Sequence, residues 1–439
     1  MDKISKFTKA TYNEKEELLL YNSYVGEYSF CKIVNQSNIA IFLKGNINDL
    51  SNCLKIFLKE KGIIIPDFVD ENKLLDNQYY RIMSPQVLRL TINPTETCNF
   101  ACKYCYENHV LNKMSEKTQK EILKLVGNKI ENFTGLHVSW FGGEPLINRE
   151  CLLYLSKNFL KISRFYKRRY SADMTTNAYL LDYDTFEEML DCNIKKFQIT
   201  VDGTEALHDS QRYLKNGGGT YRQIMDNLNK IMKSKRNDFE ITIRVNFTEK
   251  LYSVFDEFYR SIEKFLYDYR FNISFYTVKN IEGKVAQDLK KDILDNRENP
   301  MALIYKLIYD KPKGLNLKRD MLNPGMGLCY GGKNNNYVIK ADGSVFKCTI
   351  DFEDKNNQVG ILNDGKITLL DRWYSYISDR YNCKEYYSCF FAPVCTGDPC
   401  PKKNRNEKAC SFLKENIDVI LCILDKYKEF DIADGGDRF

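Results

Sequence analysis

Between Val87 and about Asn280 the chain alternates strand-like with helix-like segments, and that rhythm limits its fold more than any other feature. The strand candidates are Leu88 to Asn93, Leu136 to Phe141, Ala172 to Thr176, Lys196 to Val201, Glu240 to Phe247 and Asn272 to Val278. Helical spacing runs between them, as in Tyr221, Ile224, Met225, Leu228, Ile231 and Met232, and again in Leu251, Phe255, Phe258, Ile262 and Phe265. Strands that alternate with helices predict an α/β fold with a parallel sheet, and six such units fit an open barrel better than a closed eight-stranded one. Active residues then belong at the carboxyl ends of the strands.

The flanks break that rhythm. Leu18 to Val34 reads as a β-hairpin turning over Asn22 to Gly26, Ile39 to Leu43 as a further short apolar run, and Ile47 to Lys61 as a helix. Pro and Gly residues over Lys311 to Gly327 mark a second boundary, after which Gly turns such as Ala341-Asp342-Gly343-Ser344 predict a loop-rich region held by metal. A length of 439 residues suits two or three domains, and the expected division is 1–86, 87–310 and 311–439. The net charge of +6 is small against 65 basic and 59 acidic residues, which argues against a nucleic-acid partner. The opening MDKISKFTKATYNEKEE lacks a signal-peptide core, and no run of roughly 18 apolar residues occurs, so the expectation is a cytoplasmic protein without a membrane partner.

Fifteen cysteines in a reducing compartment point to metal ligation rather than disulfides. Cys98, Cys102 and Cys105 lie together after the first barrel strand, and Cys329, Cys348, Cys383, Cys389, Cys395, Cys400 and Cys410 crowd the last quarter. Cys31, Cys53, Cys151, Cys192 and Cys422 sit among apolar neighbours and read as core residues. Three thiolates on one loop suit three irons of a cubane cluster and leave the fourth iron open to a small ligand. Zinc is the competing reading, with His109 as its one nearby fourth ligand. For the carboxyl-terminal set the competing reading is a two-zinc ribbon.

The spacing Cys98-x3-Cys102-x2-Cys105, with Tyr104 before the third cysteine, resembles the radical S-adenosylmethionine (SAM) superfamily. Gly142-Gly143-Glu144-Pro145 after the second strand is similar to that family's GGEP loop, which holds the amino group of the methionine moiety. Thr175-Thr176-Asn177 resembles the polar segment that meets the ribose or carboxylate. Val201-Asp202-Gly203 with His208 to Arg212 is similar to the fourth-strand loop, whose arginine pairs with the cofactor carboxylate. Arg244 on the next strand either reaches the cofactor or forms a barrel salt bridge. The resemblance implies one 4Fe-4S cluster on Cys98, Cys102 and Cys105, bound S-adenosyl-L-methionine, and hydrogen abstraction by a 5'-deoxyadenosyl radical. It also implies an external electron donor such as flavodoxin or ferredoxin.

The seven later cysteines resemble the SPASM domain, which carries two auxiliary 4Fe-4S clusters in enzymes that modify peptides and proteins. Cys329, Gly343 and Cys348 match its opening, and Cys389 with Cys395 keeps its x5 spacing. Tyr386 stands where that pattern has a cysteine, so Cys383 reads as a shifted ligand, and Cys400 falls one residue late. By this resemblance Cys329, Cys348 and Cys400 hold the first auxiliary cluster, and Cys383, Cys389, Cys395 and Cys410 hold the second. Anaerobic sulfatase maturases, which make formylglycine, share this plan but carry an aspartate where this chain has Thr349; Asp351 lies near. Ribosomal-peptide (RiPP) maturases couple side chains within a precursor peptide by thioether or carbon-carbon bonds. Many carry an amino-terminal winged-helix-like domain that binds the precursor's leader as an added strand, and 1–86 has the size for it. The resemblance therefore implies an oxidoreductase-type peptide maturase. The alternatives are a sulfatase-maturase-like enzyme and a non-enzymatic metal-binding protein that recognises peptide or nucleic acid. No catalytic base is legible.

Overall fold

The computed structural model describes residues 2–84, 86–109, 113–278, 285–294, 300–309, 311, 319–350, 352–377, 379–398, 400, 410–427 and 430–434. The chain divides into two compact units: residues 1–84, 301–334 and 377–439 form one, and residues 85–300 with 335–376 form the other. Within the predicted boundary region, residues 312–318 lie outside the described residues, as does Asp351.

In the first unit, β1 (Asp2–Ile4) pairs antiparallel with β5 (Ile64–Pro66). Strands β2 (Thr8–Tyr12), β3 (Leu18–Asn22) and β4 (Cys31–Ile33) form an antiparallel sheet. The strand Asp431–Ile432 adds in parallel to the outer edge of β4. The predicted hairpin is β3 with β4, and Gly26 takes the positive φ of 80° in the connection. The apolar run Ile39 to Leu43 is helical, the second half of α1 (Gln36–Leu43), because the Asn35 side chain caps it by accepting from the amides of Ser37 and Asn38. The helix expected from Ile47 begins only at α2 (Asn52–Glu60), where Ser51 accepts from the Leu54 amide. A third helix, α3 (Glu71–Met83), is capped by Asp70. Leu18, Leu20 and Ile33 from the sheet meet Ile39, Phe42, Leu54 and Leu58 from α1 and α2 in one buried core.

In the second unit, β6 (Val87–Ile92), β7 (Gly135–Trp140), β8 (Arg169–Thr176), β9 (Ile194–Thr200), β10 (Glu240–Phe247) and β11 (Phe271–Thr277) pair in parallel in sequence order. These are the six strands predicted. The sheet continues past β6 through β12 (Asn336–Ile339), parallel to it, and then through β13 (Ser344–Phe346), β14 (Gln358–Asn363) and β15 (Lys366–Leu369), all antiparallel. Between the parallel strands run α4 (Glu116–Lys129), α5 (Arg149–Phe165), α6 (Tyr183–Asp191), α7 (Glu205–Gln211), α8 (Tyr221–Met232), α9 (Glu249–Ser253) and α10 (Phe255–Leu266). The helix expected over Leu251 to Phe265 is thus two helices, broken at Val254, whose φ of −113° and ψ of 18° leave the helical region. Alternate strand residues pack under the helices, as Trp140 does against Phe159 of α5. The opposite face is polar: His137 and Ser139 both bond the Asp173 carboxylate of the adjacent strand, and Gln198, Thr242 and Arg244 follow at the same alternation. Among the described residues no helix is long and apolar enough to cross a membrane.

Candidate functional site

The strand ends gather the residues singled out from the sequence. The loop after β6 carries Cys98, Cys102 and Cys105, and its backbone is zipped to 211–215: the amides of Ala101, Lys103 and Lys215 bond the carbonyls of Tyr213, Gln211 and Asn99 at 2.9, 3.0 and 3.0 Å. Phe100 anchors the loop, fully buried beside Tyr179. Burial pushes the Cys98 and Cys105 thiols up to about 12, with Cys102 raising both further and Cys105 raising Cys98. Buried thiols on one loop ionise only against a cation, which is the condition iron supplies. His109 lies with Nε2 at 3.5 Å from Cys105 Sγ while its Nδ1 donates to the Glu96 carbonyl. Among the described residues no group of three or more His, Cys, Asp or Glu side chains is already drawn together around a metal-ion position.

Beneath that loop lies the turn after β7. A Cβ on Gly143 would stand 2.5 Å from the Thr97 carbonyl oxygen and one on Gly142 would stand 2.4 Å from that of Thr95, with Gly142 also at a φ of 104°. The glycines therefore let this turn lie against the cysteine loop, and the Glu144 amide completes the contact by donating to Thr97 at 2.9 Å. The fully buried Glu144 carboxylate accepts from Thr176 Oγ1 and the Asn177 amide, both at 2.7 Å, and from the Leu146 amide beyond Pro145 at 3.1 Å. Burial raises its pKa against those three bonds. Asn177 in turn donates to Asn99 at 2.8 Å, tying the end of β8 to the cysteine loop.

A second cluster surrounds Arg212, which is 7% exposed. Its Nη1 donates to Tyr104 Oη at 2.7 Å, and that hydroxyl donates to Asp202. Asn246 completes the group, its amide bonding Asp202 at 2.7 Å and its side chain Tyr104 at 3.1 Å. Burial works against the Arg212 charge, but Tyr104, Cys102 and Asp202 outweigh it and hold the guanidinium above its usual range. Arg212 Nε is buried without a hydrogen bond among the described residues, an Asp202 oxygen lying 4.0 Å away. An orphaned cationic donor beside the cysteine loop suits a carboxylate ligand. The arginine is held from below by His208: the Asp202 amide donates to its Nδ1 at 3.1 Å, so its Nε2 carries the proton and donates to Thr220, whose hydroxyl donates to the Arg212 carbonyl at 2.6 Å. Arg244 forms no salt bridge among the described residues; it stacks 4.1 Å above the Tyr276 ring and donates to Asn246 at 3.2 Å. Asn246 was not legible as a site residue, since a polar strand end carries no spacing signal, and His208, legible within the fourth-strand motif, carried no sign of its supporting role there.

Of the later cysteines, Cys383 and Cys395 have pKa values raised chiefly by burial, and Cys389 and Cys410 lie near enough to both to raise them further, as Cys383 does Cys395. Tyr386 stands apart in role, 2% exposed and packed edge-on against Tyr79 and Tyr387. Cys329 and Cys400 belong to the first unit and Cys348 to the second. Cys348 follows the predicted turn, where Gly343 has a φ of 85°, and Asn357 bonds both its amide and its carbonyl, at 2.8 and 2.9 Å.

Residues 92–250 match the Radical SAM superfamily. An uncharacterized protein of Methanocaldococcus jannaschii is 27% identical over 271 residues, 59% of this chain and 84% of that protein. A cysteine-type anaerobic sulfatase-maturating enzyme of Clostridium novyi is 24% identical over 382 residues, 78% of this chain and 94% of that enzyme. The solved structure of native anSMEcpe with bound AdoMet and Cp18Cys peptide has the same fold, with a TM-score of 0.56 at 16% identity, over 78% of this chain and 97% of that one.

Proposed function

We propose that this chain, an enzyme that carries a radical SAM domain, is a peptide maturase that installs a thioether or carbon-carbon crosslink in a ribosomally made precursor. In this reading Cys98, Cys102 and Cys105 hold the cofactor's 4Fe-4S cluster. Gly142 to Pro145, Thr176 and Asn177 receive S-adenosylmethionine, and Arg212, set by Asp202 and Tyr104, takes its carboxylate, with Arg244 alongside. Together the two cofactors supply one-electron cleavage of a sulfur-carbon bond and hydrogen-atom abstraction. The protein's share is orientation: the glycines hold the cysteine loop close, and His208 fixes the arginine. Cys329, Cys348 and Cys400, and then Cys383, Cys389, Cys395 and Cys410, hold two auxiliary clusters. Residues 1–86 serve precursor recognition, 87–310 the radical chemistry and 311–439 the auxiliary clusters, with flavodoxin or ferredoxin as electron donor.

The observation that carries this reading is the gathering of Cys383, Cys389, Cys395 and Cys410 in a unit that also contains the small sheet of β2, β3 and β4. An exposed sheet edge is a means of binding an extended peptide. The polar face of the parallel sheet, with His137, Ser139 and Asp173, suits a peptide rather than an apolar substrate. A second reading, formylglycine formation, draws on the name of the C. novyi relative but meets Thr349 where those maturases carry an aspartate. Anaerobic reconstitution with a small peptide encoded beside the gene separates them. Loss of a pair of hydrogens per link with no new carbonyl supports the crosslink; a new hydrazide-reactive carbonyl, with sulfur lost where the target is cysteine, supports formylglycine. Cofactor cleavage with no change in any such peptide would refute the first reading.

A further inference from the structure

We infer that the outer edge of β4 is a strand-docking site for an extended peptide carrying an aromatic residue and, four positions on, a carboxylate, and that the chain's own segment Phe430–Asp434 holds that edge as a displaceable occupant. The inference rests on the proposed peptide substrate, and it adds the docking edge and the side chains that edge reads.

The segment shows what the edge accepts. The amides of Asp431 and Ala433 donate to the carbonyls of Phe30 and Lys32 at 3.3 and 2.8 Å, extending the sheet in parallel. Phe430, 7% exposed, stacks on Phe30 with centroids 5.1 Å apart. Asp434 then ends the ladder by accepting from the amides of Val34 and Asn35 at 2.8 and 3.0 Å and from Asn38 Nδ2 at 3.0 Å. Between these anchors Asp431 meets Lys61 at 2.5 Å, and Ile432 is 53% exposed. An aromatic pocket and a carboxylate-binding pair of amides at fixed separation read side chains, while main-chain bonds accept any strand.

The hold is short. Only two residues of the segment have strand geometry, against five in β2, and the anchors are one ring and one carboxylate. An incoming strand that repeats those two anchors replaces the ring stack, the carboxylate bonds and the main-chain ladder, so exchange leaves no unpaired edge, and it forgoes only the Asp431–Lys61 pair and the packing of Ala433 on the core.

The test uses a fluorescein-labelled peptide with the sequence of residues 427–434 and the full-length chain carrying Phe430→Ala with Asp434→Ala. Fluorescence anisotropy should show the peptide binding this variant at least tenfold more tightly than the unaltered protein. Phe430→Ala or Asp434→Ala in the peptide should cost roughly tenfold. A variant that keeps its circular dichroism and melting transition yet does not bind the peptide, or binds altered and parent peptides alike, overturns the inference. Hydrogen exchange on the unaltered protein gives a second reading that needs no variant: the Asp431 and Ala433 amides should exchange at least tenfold faster than those of β3, and equal protection would overturn displacement. These readouts need no cluster and no turnover. A peptide that the enzyme modifies without displacing the label would sink the docking edge and spare the maturase reading; label binding with no peptide ever modified would do the reverse.

Discussion

Gly143→Ala measures how tightly the cysteine loop is held. The new methyl would stand 2.5 Å from the Thr97 oxygen, 2.6 Å from the Glu96 oxygen and 2.6 Å from the Thr97 carbonyl carbon. Contact distances between non-bonded heavy atoms are roughly 3.5 Å, so a gap of about 1 Å must open, and every obstructing atom is backbone. Relief comes by moving the segment that leads into Cys98 or by breaking the 2.9 Å bond from the Glu144 amide to Thr97. Overpacking costs about 1–3 kcal/mol and the lost bond about 1 kcal/mol, for a total of roughly 2–4 kcal/mol. If that strain falls on the holo site, affinity for S-adenosylmethionine drops roughly 30-fold or more. Anaerobic reconstitution followed by iron analysis and equilibrium binding of the cofactor checks this. The internal control is Gly127→Ala in α4, where a Cβ meets nothing within 4 Å; it should stabilise by about 0.5–1 kcal/mol and leave the cofactor untouched. Unchanged iron content and affinity in Gly143→Ala would refute the argument from close approach.

Full reconstitution should give about twelve irons per chain, and replacing Cys98, Cys102 and Cys105 together with Ala should remove about four of them and abolish 5'-deoxyadenosine release. Cys383→Ala should disturb the auxiliary-cluster spectrum, whereas Tyr386→Phe should leave it intact and, since the buried Tyr386 hydroxyl has no hydrogen-bond partner among the described residues, cost no stability; chelated-iron assays and thermal melts read both. His208, whose pKa burial and Arg212 push well below the usual value, stays neutral in the native apoprotein while the unfolded chain takes up a proton below about pH 6.5. Its contribution is therefore complete above that pH and falls by about 1.4 kcal/mol per unit as the pH drops below it. Glu144 and Asp202, raised by burial, contribute the opposite slope, so the measurement is the difference between the unaltered chain and His208→Asn in urea unfolding from pH 5 to 7. Parallel pH profiles would refute it.

What was legible in the sequence, and what was not, divides along how each feature is encoded. The six barrel strands were legible from apolar or alternating segments of strand length set between helical stretches, and the helix Tyr221 to Met232 because its apolar stripe keeps one period throughout. The Ile39 to Leu43 run was legible only as apolar because five apolar residues have no period of their own; the deciding signal was the Asn35 cap, outside the run. Residues that face the cofactor site from strand ends were legible wherever they came as contiguous motifs, such as Gly142 to Pro145. Those that support them were not, because they act across the fold. Asn246 is 142 positions from the Tyr104 hydroxyl it bonds. The ribbon between the cysteine loop and 211–215 depends on backbone groups that every residue possesses, so no side chain announces it. The same holds for Phe430 to Asp434: a two-residue strand lies below any periodicity test, and only its pairing with β4 gives the aromatic and the carboxylate a common meaning. Sequence thus reveals groups whose chemistry is local and unusual, while groups that orient them by ordinary hydrogen bonds emerge only when the chain is folded.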